Sequence, residues 1–234
     1  MALLLFDIDG TLIRPTGMGR RAFERALREL YGGASDEHFP YDGMLDTQIA
    51  VRILSQMGLA PTSSAVDRLL DLYVERLQDE RPEDPAAHRC PGIPALLEQA
   101  PGRGHYLGLL TGNVRGGAFA KLSFAGLSNY FLAGTDGSGL LGAFGGDAQE
   151  RWDLVPVAMA RCVKAYGRAF SRAQTWIIGD SPKDVQAART AGVRCVAVGT
   201  GSASLQTLAG LSPDLLLPDL ADLGTLWPAV EAVA

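Results

Sequence analysis

Short continuous apolar runs, separated by stretches of helical periodicity and stopping at small or polar residues, constrain this chain more than any other feature. They stand at Leu3–Asp7, Tyr106–Thr111, Tyr130–Ala133, Thr175–Gly179, Arg194–Val198 and Leu215–Leu217. A strand covered on both faces reads as such a run, and strands alternating with helices build βαβ units around a parallel sheet. Three runs end in groups able to do chemistry: Asp7-Ile8-Asp9, Thr111-Gly112-Asn113 and Gly179-Asp180-Ser181. Ligands of open parallel sheets bind beyond the carboxyl ends of the strands, so these three ends are expected to converge on one site.

Residues 17 to 80 break the alternation. Met18, Ala22, Phe23, Ala26, Leu27 and Leu30 share one helical face, opposite Arg20, Arg21, Glu24, Arg25, Arg28 and Glu29. Ile49, Ile53, Leu54 and Met57 repeat the pattern, as do Val66, Leu69, Leu70, Tyr73 and Leu77. The outgoing connection is "IRPTG" and the return is "RPEDPAAHRCPG", residues 81 to 92. Two connections at one edge let the insert swing over the strand ends as a lid. The expected organisation is an α/β core of residues 1–14 and 84–234 with a helical cap of residues 15–83.

Hydrophobic residues at 47% and charged ones at 20% describe an ordinary globular chain, and no apolar run approaches the ~20 residues that cross a bilayer. Asp7 and Asp9 interrupt the only run placed where a secretory signal would lie, so a cytoplasmic protein is expected. Cys90, Cys162 and Cys195 are odd in number and contain no Cys-x-x-Cys pair, which fits reduced core residues. A net charge of −5 with scattered arginines offers no basic patch, so neither nucleic acid nor a membrane surface is an expected partner. A monomer and a homodimer remain equally open.

Asp7 and Asp9 are two apart on an extended backbone and point to the same side, where they repel unless a cation or a proton lies between them. A strand-end carboxylate can attack phosphorus directly and form an aspartyl phosphate; Asp7, nearest the strand, suits that role. Asp9 can then protonate the leaving oxygen and later deprotonate water. A hard cation with oxygen ligands, Mg²⁺ by preference, would neutralise the cluster. "IIGDSPKDV" supplies a second pair, Asp180 and Asp184, of which Asp184 could also simply cap the following helix. The Thr111 hydroxyl, the Gly112 backbone and the Asn113 amide can hydrogen bond phosphate oxygens. Of the cations Lys121, Arg151 and Lys164, Arg151 stands where a helix begins and is the chosen phosphate partner. The three histidines, His38, His88 and His105, fall outside these motifs and read as surface or structural residues.

With those residues in order, the chain resembles the haloacid dehalogenase-like hydrolase superfamily, in its phosphatase branch, over nearly its whole length. "DIDGT" at 7–11 is similar to the first motif, Thr111 to the second and "GDSPKD" at 179–184 to the fourth. The third departs: relatives often carry Lys-Pro-x-Pro, and "GDAQERWDLVP" has no lysine, leaving Arg151 to be inferred by position. The resemblance implies a Rossmann-like, doubly wound parallel sheet with an all-helical cap between the first two motifs. It implies Asp7 as nucleophile, Asp9 as general acid and base, Thr111 and Asn113 as phosphate ligands, and Asp180 and Asp184 beside them at the magnesium site. The cap and "GMLDTQIA" at 43–50 resemble phosphoglycolate phosphatase and its small-substrate relatives, implying a small phosphorylated metabolite as substrate. Asp9 argues against the dehalogenase reaction. A phosphomutase, a nucleotide phosphatase and a binding protein without turnover are the alternatives; the mutases usually carry a histidine just after the first motif, and "IRPTGMGRRAF" has none. Arg14, Arg20, Arg21, Asp46, Thr47 and Gln48 are the candidates for substrate selection.

Overall fold

The computed structural model describes residues 1–33, 41–132 and 139–232; His38 and Ala133 lie outside them. Six parallel strands form one sheet: β1 (Leu3–Phe6), β2 (Tyr106–Leu110), β3 (Gly142–Ala143), β4 (Thr175–Gly179), β5 (Arg194–Val198) and β6 (Leu215–Leu217), in the order β3-β2-β1-β4-β5-β6. This is a doubly wound sheet whose order reverses between β1 and β4, the place where such folds leave a crevice at the carboxyl ends. Phe6 lies opposite Ile178, and the Asp7 N–H donates to the Ile178 carbonyl at 2.9 Å, so Asp7 leaves the sheet in register with the end of β4.

The alternation of side chains across the strands gives the sheet two cores. Leu4, Phe6, Trp176, Ile178, Val196 and Val198 are buried on one face, under α4 (Ala95–Gly102), α5 (Arg115–Phe124) and α9 (Leu223–Glu231). Leu3, Leu5, Ile177, Cys195 and Ala197 are buried on the other, under α6 (Leu154–Tyr166), α7 (Pro182–Ala191) and α8 (Leu205–Ala209). Each fully buried Leu or Ile contributes roughly 1.5–3 kcal/mol of transfer free energy, which is why these strands need no polar face.

One expected strand, Tyr130–Ala133, is not formed by the residues described there. Residues Ser128–Phe131 form a 3₁₀ turn, and Leu132 makes only an isolated bridge to Leu140. Phe131 turns its ring into the core, edge-on to Phe6 with centroids 6.0 Å apart, so the apolar residues there pack beneath the sheet instead of pairing with it. The edge strand is the short Gly142–Ala143, whose residue types carry no strand signal of their own.

Helices α1 (Met18–Tyr31), α2 (Asp46–Gln56) and α3 (Ser63–Leu77) form a separate layer with a core of its own. The residues expected on their inner faces are buried there, Leu30 and Met57 only partly, with Phe23 stacked on Tyr73 at 4.1 Å between centroids. That core continues onto Ala120 and Phe124 of α5, so the layer is seated on the α/β body. The two connections run side by side: Arg14 N–H donates to His88 at 2.8 Å and Cys90 N–H to Leu12 at 3.1 Å, with Ile13 and Arg89 paired antiparallel. His88 and His105 are buried; His105 accepts from the Ala2 N–H and stacks on Trp227.

Candidate active site

The fourth motif owes its geometry to a helix start. Ser181 caps α7, Pro182 occupies the first turn where no N–H is needed, and Asp184 at the third position completes a capping box. The Ser181 N–H and hydroxyl donate to Asp184 Oδ2 at 3.1 and 2.6 Å. This leaves Asp184 Oδ1 facing the sheet end, where it accepts from Arg151 Nε at 3.0 Å and Nη2 at 2.6 Å. Both readings of Asp184 therefore hold at once: it caps the helix and it belongs to the cluster.

Arg151 sits in a 3₁₀ turn, Arg151–Asp153, that leads into α6. It is 4% exposed, and its Nη2 also lies 3.0 Å from Asp7 Oδ2, so one guanidinium bridges the first and fourth motifs. Lys164, by contrast, is exposed near the end of α6. Asp180 accepts from Thr11 Oγ1 at 2.9 Å. Gly10, at φ +81°, and Gly201 pass so close to Asp180 that a Cβ on either would collide with the carboxylate.

Asp7, Asp180 and Asp184 each bring one carboxylate oxygen within 4.8 Å of the others, and all three are buried. Burial pushes the Asp7 carboxyl up to about 6 against the pull of Arg151, with Asp184 and Asp9 adding to the rise. Burial likewise holds Asp180 well above the ordinary carboxylate range, reinforced by the charges of Asp7 and Asp184. One arginine thus leaves the cluster short of positive charge, and the all-oxygen donor set suits a hard divalent cation.

Asp9 stands apart from that cluster. Asn113 Nδ2 donates to its Oδ2 at 2.7 Å, and Lys121 Nζ lies 2.9 and 2.7 Å from its two oxygens. Burial alone would raise Asp9, but the Lys121 charge and these hydrogen bonds outweigh it and hold the carboxyl below its usual range. Thr111, fully buried, accepts from the Asn113 N–H at 3.3 Å and from its Nδ2 at 2.9 Å, which folds the second-motif loop onto itself.

The helical layer closes over these groups through "GMLDTQ". Asp46 N–H donates to the Gly112 carbonyl at 2.8 Å, and Asp46 Oδ2 accepts from the Val114 N–H at 2.8 Å at the start of α5. Thr47 Oγ1 donates to Gly145 and Gln48 Nε2 to Gln149. Burial pushes the Asp46 carboxyl up to about 7, although Lys121 pulls the other way. What remains is a cavity of about 210 Å³, with Asp7, Asp9, Asp180 and Arg151 on the sheet side and Arg20, Tyr41 and Asp46 on the helical side. Arg14 and Arg21 are exposed, and Arg21 pairs with Glu80 at 2.7 Å.

Lys121 is the residue the motif pattern undervalued, because it lies on a helix and outside every motif. A lysine eight residues after Asn113, on the inner side of a helix whose other residues, Arg115 apart, are apolar or small, is the signal that marks it.

A HAD-hydrolase-like family model matches residues 153–223. The phosphoglycolate phosphatase of Synechococcus elongatus is 31% identical over 225 residues, covering 95% of each chain. That of Rhodospirillum rubrum is 27% identical, covering 94% of this chain and 88% of the relative. Among solved structures, a CbbY mutant from Rhodobacter sphaeroides in complex with xylulose-(1,5)bisphosphate aligns with a TM-score of 0.72, 22% identity and coverage of 96% and 97%. β-Phosphoglucomutase from Clostridium difficile aligns at 0.70 with 18% identity, covering 99% and 97%; at such identities these two show the fold alone.

The chain belongs to the haloacid dehalogenase-like hydrolase superfamily, in its phosphatase branch. Within that branch it is phosphoglycolate phosphatase-like. Enzymes of this class act on small phosphorylated substrates with a divalent metal, and the cluster of Asp7, Asp180 and Asp184 could hold one. No helix among the described residues is long and apolar enough to cross a membrane.

Proposed function

We propose that the chain is a Mg²⁺-dependent phosphatase of a small phosphate monoester, with phosphoglycolate as its first substrate, working through an aspartyl phosphate. The observation that carries this is the division of the opening pair. Asp7 faces Asp180 and Arg151 across the switch point, while Asp9 is held separately by Asn113 and Lys121. Two adjacent carboxylates with different partners can take different roles.

Asp7 attacks phosphorus as the bond to the leaving oxygen breaks. Asp9 gives that oxygen a proton, then takes one from the water that hydrolyses the aspartyl phosphate. In the resting site Asp9 is a carboxylate; an arriving phosphate, itself negative, raises its proton affinity, so Asp9 first takes from solvent or from the monoanionic ester the proton it then gives to the leaving oxygen. The Thr111 hydroxyl and the Gly112 and Asn113 backbone N–H groups hydrogen bond the phosphate oxygens, the Asn113 side chain being taken up by Asp9, Thr111 and Lys121, and Arg151 stabilises the charge that develops during transfer. Mg²⁺ held by Asp7, Asp180 and Asp184 would supply the positive charge these carboxylates and the phosphate need. The Asp9 carboxylate, taken up by Lys121 and Asn113, lies outside that ligand set.

Residues 15–83 act as a cap on a core of 1–14 and 84–234, hinged at the paired connections around Ile13 and Arg89. A cavity of about 210 Å³ favours a small substrate, and the relatives supply phosphoglycolate as the first to try. A cytoplasmic setting fits three buried, unpaired cysteines.

The test is phosphate release from a panel of esters by the purified chain. Mg²⁺-dependent hydrolysis that favours phosphoglycolate over bulky esters is expected. No release from any ester, or full activity in excess chelator, would contradict the reading.

A further inference from the structure

We propose that Lys121 is a positioning residue for Asp9: it fixes the proton-transferring carboxylate and the amide beside it, and does not bind substrate phosphate. The proposal deepens the phosphatase reading and rests on it.

An ammonium group has three hydrogens to donate. Lys121 Nζ lies 2.9 Å from Asp9 Oδ1, 2.7 Å from Asp9 Oδ2 and 2.7 Å from Asn113 Oδ1, so all three are spent within the site. By claiming Asn113 Oδ1, Lys121 decides which way that amide faces, and Nδ2 is turned toward Asp9 Oδ2 and Thr111 Oγ1. One lysine thereby sets the orientation of both groups flanking the leaving oxygen. The other buried cation at the strand ends, Arg151, is taken up by Asp7 and Asp184. Each carboxylate of the opening pair therefore has its own cation.

The setting is sealed from the helical layer. Lys121 is 5% exposed, and Gly19 of α1 runs so close that a Cβ there would stand 3.3 Å from Nζ and 3.6 Å from the Tyr73 hydroxyl. Seating α1 against the ammonium keeps water off Nζ and so strengthens its hold on Asp9, whose carboxylate, 38% exposed, stays open to the cavity. Cap closure and alignment of the proton-transfer group are then one event.

The experiment compares Lys121→Met with the unaltered chain on two substrates: 4-nitrophenyl phosphate, whose leaving group departs without a proton, and phosphoglycolate, whose alkoxide needs one. A misplaced Asp9 should lower kcat/KM for phosphoglycolate by about 30-fold or more and for the aryl ester by only about 3-fold, since proton transfer matters chiefly for the poor leaving group. The inhibition constant of inorganic phosphate should stay within about 3-fold, because phosphate binding is not the lysine's task. Asp9→Asn should show the same substrate split, enlarged. Lys121→Gln, which keeps a donor without the charge, should recover part of the loss on phosphoglycolate, and carries the same tests if the Met variant fails to fold. Equal losses on both esters, or phosphate inhibition weakening in step with activity, would overturn the proposal. Wild-type chain inactive on both esters would instead overturn the phosphatase reading, and the proposal with it.

Discussion

The two walls of the cavity are built on opposite principles. On the sheet side, Asp7, Asp180, Asp184 and Arg151 are all buried, and their positions follow from strand ends and a helix cap. On the helical side, α1, α2 and α3 pack an apolar core that runs onto Ala120 and Phe124 of α5, and they reach the strand ends through polar contacts gathered at Asp46, Thr47 and Gln48. Buried charges are costly unless paired, so a wall made of them is stiff and intolerant of change. A wall seated by one apolar patch on α5 and by a few hydrogen bonds worth about 1 kcal/mol each can lift and return more readily. Chemistry belongs on the first and admission of substrate on the second.

Three substitutions would break or sharpen that contrast. Arg151→Ala removes the one cation shared by Asp7 and Asp184, and kcat should fall by about 10²–10³-fold, the usual cost of losing a group aimed at developing charge. A loss confined to KM would mean that Arg151 only binds ground-state phosphate. Asp46→Asn probes the helical wall. The folded-state carboxyl is raised from 3.8 to about 7, so the fold prefers its proton, and this carboxyl's contribution to stability is full below about pH 4 and lost as pH rises through 7. An amide keeps an oxygen for the Val114 N–H and escapes that loss. The variant should gain on the order of 2 kcal/mol over wild type at pH 8 and nothing at pH 4, read by urea unfolding of metal-free protein. Equal stability at both pH values would show Asp46 to be well solvated. Asp180→Ala should raise the Mg²⁺ concentration for half-maximal rate by about 10-fold or more while the protein stays folded. An unchanged requirement would move the metal away from the β4 end.

The sheet side was open to sequence reading because its rules are local. An apolar run followed by Asp-x-Asp, or by Asp-Ser-Pro-x-Asp, states its strand, turn and cap within a dozen residues. β4, β5 and β6 begin and end where the apolar runs do. Arg151 was placed by the same logic, as the charge at a helix start. The edge of the sheet was not readable this way: Tyr130 and Phe131 look like strand residues but spend their apolar surface under Phe6, while Gly142 and Ala143 pair only because β2 offers a free edge. Lys121 and Asp46 were hard to find for a different reason. Each acts across a gap of 68 or more residues, Lys121 on Asp9 and Asp46 on Val114, and no periodicity reports on such contacts.

The central claim is that two identical side chains two residues apart do different work, and trapping the covalent intermediate tests it most directly. Each variant is mixed with 4-nitrophenyl phosphate and Mg²⁺, quenched in acid within milliseconds, and weighed intact. Asp9→Asn retains the nucleophile but lacks the base for hydrolysis, so a chain heavier by one phosphoryl group should accumulate. Asp7→Asn lacks the attacking oxygen and should show none. A phosphorylated Asp7→Asn chain with none in Asp9→Asn would exchange the two roles. No phosphorylated chain in wild type or either variant would contradict the covalent route and leave water as the attacking group.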